Sequence, residues 1–158
     1  MIVQDGVARL TEYGVALVLS NLEAGLTPNQ IVERNDRWQA PEITATETIS
    51  RKKPELGSKP ADVFAFAMLA VEVFTGQVPF GETMNNTTAI LEIKKGTRPP
   101  KPAEIEDENV WKLVQACWNK RPKKRPDVGN VVANLESLLN GGGLGKSIPI
   151  PGDHILIR

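Results

Sequence analysis

The sequence predicts a mainly α-helical domain of about five helices, preceded by a small N-terminal β-hairpin. The segment 63–74, VFAFAMLAVEVF, is apolar apart from one glutamate, which is typical of a helix buried on all sides. Apolar residues recur at helical spacing over 87–95, over 109–119 and after Asp127. The segments that favour β-strands are short and lie at the start of the chain.

The first element is the hairpin, with strands at 2–3 and 7–10 around the turn residues Gln4-Asp5-Gly6. From Val15 to Trp38 the periodicity fades, and several Gly, Pro, Asn and Asp residues indicate a loop. A loop of that length is uncommon in a compact domain and is usually functional.

The second element is a helix at about 60–75, whose two ends carry recognisable signals. Pro60 fits the first turn, because the N–H that it lacks has no partner there. Asp62 is favourable near the positive end of the helix dipole. Gly76 suits a left-handed cap just beyond the last turn.

Three further helices follow. One at 87–95 ends at Gly96, and one at 109–119 places Cys117 on an apolar stripe. Asp127 is predicted to cap the last helix. The inner face of that helix is expected to contain Val128, Val131, Val132, Leu135, Leu138 and Leu139. The domain therefore covers 1–140, and 141–158 is a flexible tail with Gly and Pro residues.

Composition excludes several classes of function. Nineteen basic and nineteen acidic residues give a net charge of zero, so no nucleic acid or anionic membrane partner is expected. The apolar segment 63–74 is shorter than the roughly 20 residues that span a bilayer. The single cysteine, Cys117, rules out an internal disulfide and favours a cytoplasmic location.

Five landmarks stand in a fixed order along the chain. They are Glu12-Tyr13-Gly14 after a strand, Arg37-Trp38-Gln39-Ala40-Pro41-Glu42, Asp62 at the start of the apolar helix, Thr75-Gly76-Gln77-Val78-Pro79-Phe80, and Cys117-Trp118 followed by Arg125-Pro126. Together they resemble the C-terminal lobe of a protein kinase, over residues 1 to about 140. The tryptophans at positions 38 and 118 make the chain most similar to the tyrosine-kinase-like and tyrosine kinase branches of the family.

The resemblance implies an activation segment at 12–42. Glu12 stands where the family has the aspartate that ligates magnesium, and Tyr13 stands at the aromatic position of that motif. Ser20 and Thr27 are the candidate phosphate acceptors, although loop hydroxyls are commonly only solvated.

The resemblance also implies a contact between distant residues. Glu42 and Arg125 are expected to form a buried ion pair that clamps the end of the activation segment to the last helices. Two exposed charges, each contributing little, are the alternative.

Catalysis in the family needs more than this lobe. Phosphoryl transfer requires a glycine-rich loop, a strand lysine and a His-Arg-Asp loop, all of which precede the magnesium motif. The first lysine here is Lys52 and the sole histidine is His154, so the chain is expected to begin just past the catalytic loop. We expect no catalytic residue and no cofactor for this chain alone, whereas the family uses ATP and Mg²⁺. The alternatives are an active kinase whose N-terminal half lies outside this sequence, and a helical interaction module.

No other phosphate or metal site is predicted. Asn140-GGGL-Gly145-Lys146-Ser147 differs by one residue from a phosphate-binding loop, and prolines follow where a helix is needed. One histidine and one cysteine do not make a zinc site.

The helix at 63–74 is expected to bind a protein partner or a second copy. In the family, upstream elements cover part of it, so some of its apolar residues are expected to be exposed: Phe64, Phe66, Met68, Val71 and Phe74. Asp62 is likewise expected to lack its usual backbone partner. Because of this exposed apolar surface, the isolated chain is expected to be only marginally stable.

Overall fold

A computed structural model of the chain describes residues 36–44 and 58–141, together with the backbone of two short strands. The chain divides into two compact units, residues 1–35 with 149–158 and residues 36–148. In the first unit, β1 (Ile2–Gln4) pairs antiparallel with β2 (Val7–Arg9). The predicted N-terminal hairpin is therefore confirmed.

The described part of the second unit is helical. It contains α1 (Lys59–Thr75), α2 (Asn86–Lys95), α3 (Glu108–Cys117) and α4 (Val128–Asn140), a 3-10 turn at Pro122–Lys124 and a helical turn at 41–44. The mainly helical prediction is confirmed, and the four helices begin and end within two residues of their predicted bounds. None of these described helices is both long and apolar enough to cross a bilayer.

Each helix begins at a side chain that accepts a hydrogen bond from its first turn. These N-caps are Ser58, Asn85, Asp107 and Asp127. Such a side chain satisfies one of the backbone N–H groups that the first turn leaves without a partner. The predicted cap at Asp127 is confirmed, as is the left-handed glycine after α1, where Gly76 has a φ of 66°.

The core is built around α1. Phe64, Ala67 and Met68 are fully buried in its centre, and the helix packs against α3 and the 3-10 turn. Trp111 and Trp118 meet edge to face, with 5.3 Å between ring centroids. Each large apolar side chain buried in this way contributes about 1.5–3 kcal/mol to folding.

The expectation that some of the five apolar residues named above in α1 are exposed is wrong, because none of the five is. Phe64, Met68 and Val71 are buried, and Phe66 and Phe74 are half-buried. The reason is local packing: α3 and the 3-10 turn cover the helix, and the cluster continues outward to further apolar side chains.

The prediction for the inner face of α4 is also wrong in part. Val131 is its one buried residue, and Leu135 and Leu138 are half-buried. Val128, Val132 and Leu139 are 64%, 47% and 63% exposed. The apolar arc of this helix is wider than the strip that packs on the core, so its outer part faces solvent.

Candidate functional site

Residues 36–44, which we call the anchor segment, carry one of the five landmarks and lie among three other elements. Arg37, Ala40 and Thr44 are buried, with 6%, 1% and 7% of their surfaces exposed. An irregular segment is seldom buried, because its backbone and polar side chains must find partners. The contacts of this segment show where those partners lie.

Arg37 holds the link between α1 and α2. Its Nε donates to Asn86 Oδ1 at 2.6 Å, and its Nη1 donates to the carbonyl oxygens of Pro79 and Gly81, each at 2.9 Å. Nη2 donates to the carbonyl oxygen of Met84. The planar guanidinium presents its donors in a fixed fork, which allows one side chain to bind four acceptors.

The backbone at Phe80 is strained, and Arg37 binds both sides of it. Phe80 has a φ of 70°, a left-handed conformation that is costly for a bulky side chain. The two carbonyls that accept from Arg37 Nη1 belong to Pro79 and Gly81, its immediate neighbours. Strain of this kind persists only where the surroundings over-determine the conformation, and these hydrogen bonds supply that constraint.

Trp38 ties the anchor segment to α1. Its indole Nε1 donates to Glu72 Oε2 at 2.8 Å. Burial raises the pKa of Glu72, and the hydrogen bond from Trp38 opposes that rise. The contact explains why one glutamate interrupts an otherwise apolar segment.

Glu42 and Arg125 form the third connection. Nη1 of Arg125 lies 2.6 Å from Oε1 of Glu42, and Nη2 lies 2.9 Å from Oε2. The same guanidinium donates to the carbonyl oxygens of Pro60 and Asn119, both at 2.8 Å. The Arg125 side chain is fully buried, whereas that of Glu42 is 30% exposed. The structure thus brings together the two residues that the sequence pairs, with one member buried and the other half-buried.

The ring of Phe64 has two guanidinium groups near it. Arg98 lies 4.8 Å and Arg125 5.0 Å from the ring centroid, distances typical of cation–π contacts. Arg98 also donates to the carbonyl oxygens of Ile93 and Trp118, each at 3.1 Å. Burial lowers the pKa of Arg98 to about 10, with Arg125 as the next cause, so Arg98 still carries its charge at neutral pH.

The remaining predicted residues are not gathered into one site. Asp62 is exposed, and its carboxylate makes no hydrogen bond to the residues that the structure describes. Trp118 is buried against Trp111. Glu12, Tyr13, Gly14, Ser20 and Thr27 lie outside the described residues.

Two residues of this arrangement were not predicted from the sequence. Glu72 could have been found, because a lone acid in an apolar helix needs a donor. Arg98 carries no comparable signal, since its contacts are to backbone carbonyls and to a ring distant in sequence.

The contacts of the anchor segment hold three other elements of the fold together. Over 36–44 and 58–141, no three His, Cys, Asp or Glu side chains are grouped so that they could hold a metal ion. Cys117 is buried, and this burial raises its pKa to about 11, so it is a neutral core thiol. Glu12, at the position of the family's magnesium ligand, is not among these described residues.

The chain is similar to known kinases and to a scaffold protein. A probable serine/threonine-protein kinase of Dictyostelium discoideum is 29% identical over 87% of the chain and 14% of its own length. Human tyrosine-protein kinase Srms is 31% identical over 87% of the chain and 26% of its own length. Mouse scaffold protein ILK is 33% identical over 65% of the chain and 22% of its own length. The chain thus spans about a quarter or less of each of these relatives.

The family model for protein tyrosine and serine/threonine kinases matches residues 1–135. This range includes the anchor segment, α1 and the ion pair of Glu42 with Arg125. Proteins of this family use ATP and Mg²⁺. The chain belongs to the protein tyrosine and serine/threonine kinase family.

Proposed function

We propose that these 158 residues alone form a non-catalytic, kinase-like unit, a pseudokinase lobe. The observation that carries the proposal is a contrast within the chain. The Ala40-Pro41-Glu42 motif has its arginine partner at Arg125, yet Glu12 stands where the family has the aspartate that ligates magnesium. The sequence supports it further: no lysine precedes Lys52, and the sole histidine is His154.

The side chain of Glu12 supports the same proposal, because it is longer than the aspartate of the family. Mg²⁺ demands near-octahedral geometry, and one additional methylene displaces a carboxylate from the position that an aspartate would give it. Ser20 and Thr27 are proposed as phosphate acceptors for another kinase, since both precede Trp38 in the loop-like part of the sequence.

A binding role is the positive side of the proposal. One relative is named a scaffold protein, so a kinase-like chain can serve in assembly. The outer part of α4 exposes Val128, Val132 and Leu139, and an apolar row of this kind favours contact with a protein surface. This row replaces the helix at 63–74 as the proposed place for a partner.

The second candidate is the C-terminal part of an active kinase. The lengths of the relatives favour this candidate, because the chain matches only 14% to 26% of the length of the relatives named above. The discriminating observation is the genomic sequence before Met1. An in-frame glycine-rich loop, strand lysine and His-Arg-Asp motif would favour this candidate over the first.

The test of the first candidate is nucleotide binding by the purified chain, with and without Mg²⁺, together with transfer of labelled phosphate to generic protein substrates. We expect neither binding nor transfer. The matched variant is Glu12→Asp, which restores the family's acid and is expected to remain inactive. Micromolar affinity for ATP in the unmodified chain would refute the proposal.

We also propose a cytoplasmic location. The support is the single cysteine, because a chain that needed disulfides would carry cysteines in pairs. Fractionation of cells that express the tagged chain tests the proposal, and recovery from a secretory compartment would contradict it.

A further inference from the structure

Two loops of opposite charge flank α3. The basic loop, residues 120–124, carries Lys120, Arg121, Lys123 and Lys124, all of them exposed. The acidic loop, residues 104–108, ends in the first residue of α3 and carries Glu104, Glu106, Asp107 and Glu108, of which all but Asp107 are exposed.

The basic loop is held in place at both ends. Trp118 before it and Arg125 after it are 5% and 7% exposed. Arg125 Nε donates to the carbonyl oxygen of Asn119 at 2.8 Å, which closes the loop, and the backbone N–H of Arg121 donates to Asn119 Oδ1 at 3.0 Å. A loop that is already ordered loses little conformational freedom when it binds a partner.

The four cations of the basic loop have no carboxylate partner within 4.0 Å among the residues that the structure describes. Four like charges within five residues repel one another, and the packing of the fold makes no use of them. An anionic partner would relieve that repulsion.

The acidic loop is similarly fixed and incompletely paired. Ile105 is 2% exposed and anchors it, and Asp107 caps α3. Glu108 pairs with Lys101. Glu104 and Glu106 make no hydrogen bond or ion pair within the described part of the chain.

The two loops of one chain are too far apart to neutralise each other. They are separated by the ten residues of α3, a length of about 15 Å. At physiological ionic strength, charges in solvent are screened over about 8 Å. A second copy of the chain would supply complementary charge to both loops.

We propose that this surface binds a second copy of the chain, with the acidic loop of each copy on the basic loop of the other. Two copies related by a twofold axis across α3 make both contacts at once, which closes the assembly as a dimer. A net charge of zero lets the copies approach without overall repulsion. The proposal does not depend on whether the chain binds ATP.

The first test is sedimentation of the full 158-residue chain at about 50 mM and about 500 mM NaCl. We expect a dimer at low salt, with an association constant at least about tenfold lower at high salt, because the contacts are exposed ion pairs. A chain that is monomeric at low salt overturns the proposal. Association that strengthens with salt would instead belong to the apolar row of α4, and it also overturns the proposal.

The second test exchanges charges. Lys120→Glu with Arg121→Glu removes the net positive charge of the basic loop, and Glu104→Lys with Glu106→Lys removes the net negative charge of the acidic loop. Each double variant alone is expected to be monomeric, and an equal mixture is expected to form heterodimers. Asp107 is left unchanged because it caps α3. If the mixture stays monomeric, the pairing is wrong.

A matched control changes the same amount of charge elsewhere. Glu82→Lys with Glu136→Lys alters two exposed acids outside both loops and is expected to leave the dimer intact. Thermal melts check that every variant is folded, with midpoints within about 2 °C of the original. Loss of the dimer in this control, or binding of the basic loop to RNA or an unrelated acidic peptide in preference to a second copy, contradicts the proposal.

Discussion

Arg125 and Glu42 lie 83 residues apart in the sequence and meet in a two-pronged ion pair, with Nη1 to Oε1 at 2.6 Å and Nη2 to Oε2 at 2.9 Å. The arginine belongs to the end of the 3-10 turn and the glutamate to the anchor segment. Because Arg125 also binds the carbonyl oxygen of Pro60, one guanidinium connects three parts of the fold.

Glu42→Ala is expected to lower the free energy of unfolding by about 3 kcal/mol. The substitution leaves the buried guanidinium of Arg125 without its countercharge, and partial exposure of Glu42 keeps the loss at the lower end of the usual range for buried pairs. Urea unfolding measures the change. The control is Lys101→Ala, which removes an exposed pair with Glu108 and is expected to cost less than about 1 kcal/mol. An equal loss of unfolding free energy in Glu42→Ala and Lys101→Ala would contradict the distinction between a buried and an exposed ion pair.

Glu72 makes stability depend on pH. Burial raises its pKa in the folded chain above the ordinary 4.5, so the folded state binds the proton more tightly than the unfolded state does. This stabilisation is complete below pH 4.5 and is lost as pH rises through the folded pKa. Relative to Glu72→Gln, the unmodified chain is therefore expected to lose stability with rising pH.

Denaturant unfolding of both proteins between about pH 4 and pH 7 measures this difference. Trp38→Phe is expected to steepen the loss, because it removes the hydrogen bond that favours the ionised carboxylate. A stability difference between the unmodified chain and Glu72→Gln that does not change with pH would show that Glu72 is solvated.

Cys117 is expected to resist alkylation in the folded chain. Burial raises its pKa to about 11, so the reactive thiolate is scarce at pH 8, and the side chain is inaccessible. Mass spectrometry after iodoacetamide treatment should show slow labelling in buffer and complete labelling in denaturant. Rapid labelling of the folded chain would contradict the burial of α3 against the core.

Arg37→Lys is expected to cost about 2–4 kcal/mol, although the charge is kept. A lysine ammonium has no planar fork, so it leaves several carbonyls of residues 79–84 without donors in a buried place. The matched control is Arg121→Lys, an exposed position where the same change should cost less than about 0.5 kcal/mol. Thermal melting compares the two.

Gln39→Met is expected to stabilise the chain by about 1 kcal/mol. The side-chain oxygen of Gln39 is buried without a hydrogen-bond partner in the described part of the chain, and methionine fills a similar volume with no polar group to satisfy. A loss of stability would indicate a partner for this oxygen, such as an ordered water.

The sequence was sufficient to predict the helices because their signals are local. Pro60, Gly76 and Asp127 mark helix ends through their own backbone and side-chain chemistry, and each stands where it was expected. The pairing of Glu42 with Arg125 was available only through family resemblance, since nothing local relates residues so distant.

Burial was predicted less well, because it depends on what packs against a helix. Phe64 and Val132 look alike as apolar residues at helical spacing, yet one is fully buried and the other 47% exposed. The strained φ of Phe80 is likewise set by hydrogen bonds from Arg37, which sequence patterns do not contain.

The fastening of the anchor segment has a mechanical consequence. Arg37 bonds to the link before α2, Trp38 to the last turn of α1, and Glu42 to the end of the 3-10 turn. Tension applied from the N-terminal side of residue 36 therefore loads three parts of the helical unit at once. Under an optical trap we expect this unit to rupture in a single event, with no stepwise peeling of one helix after another.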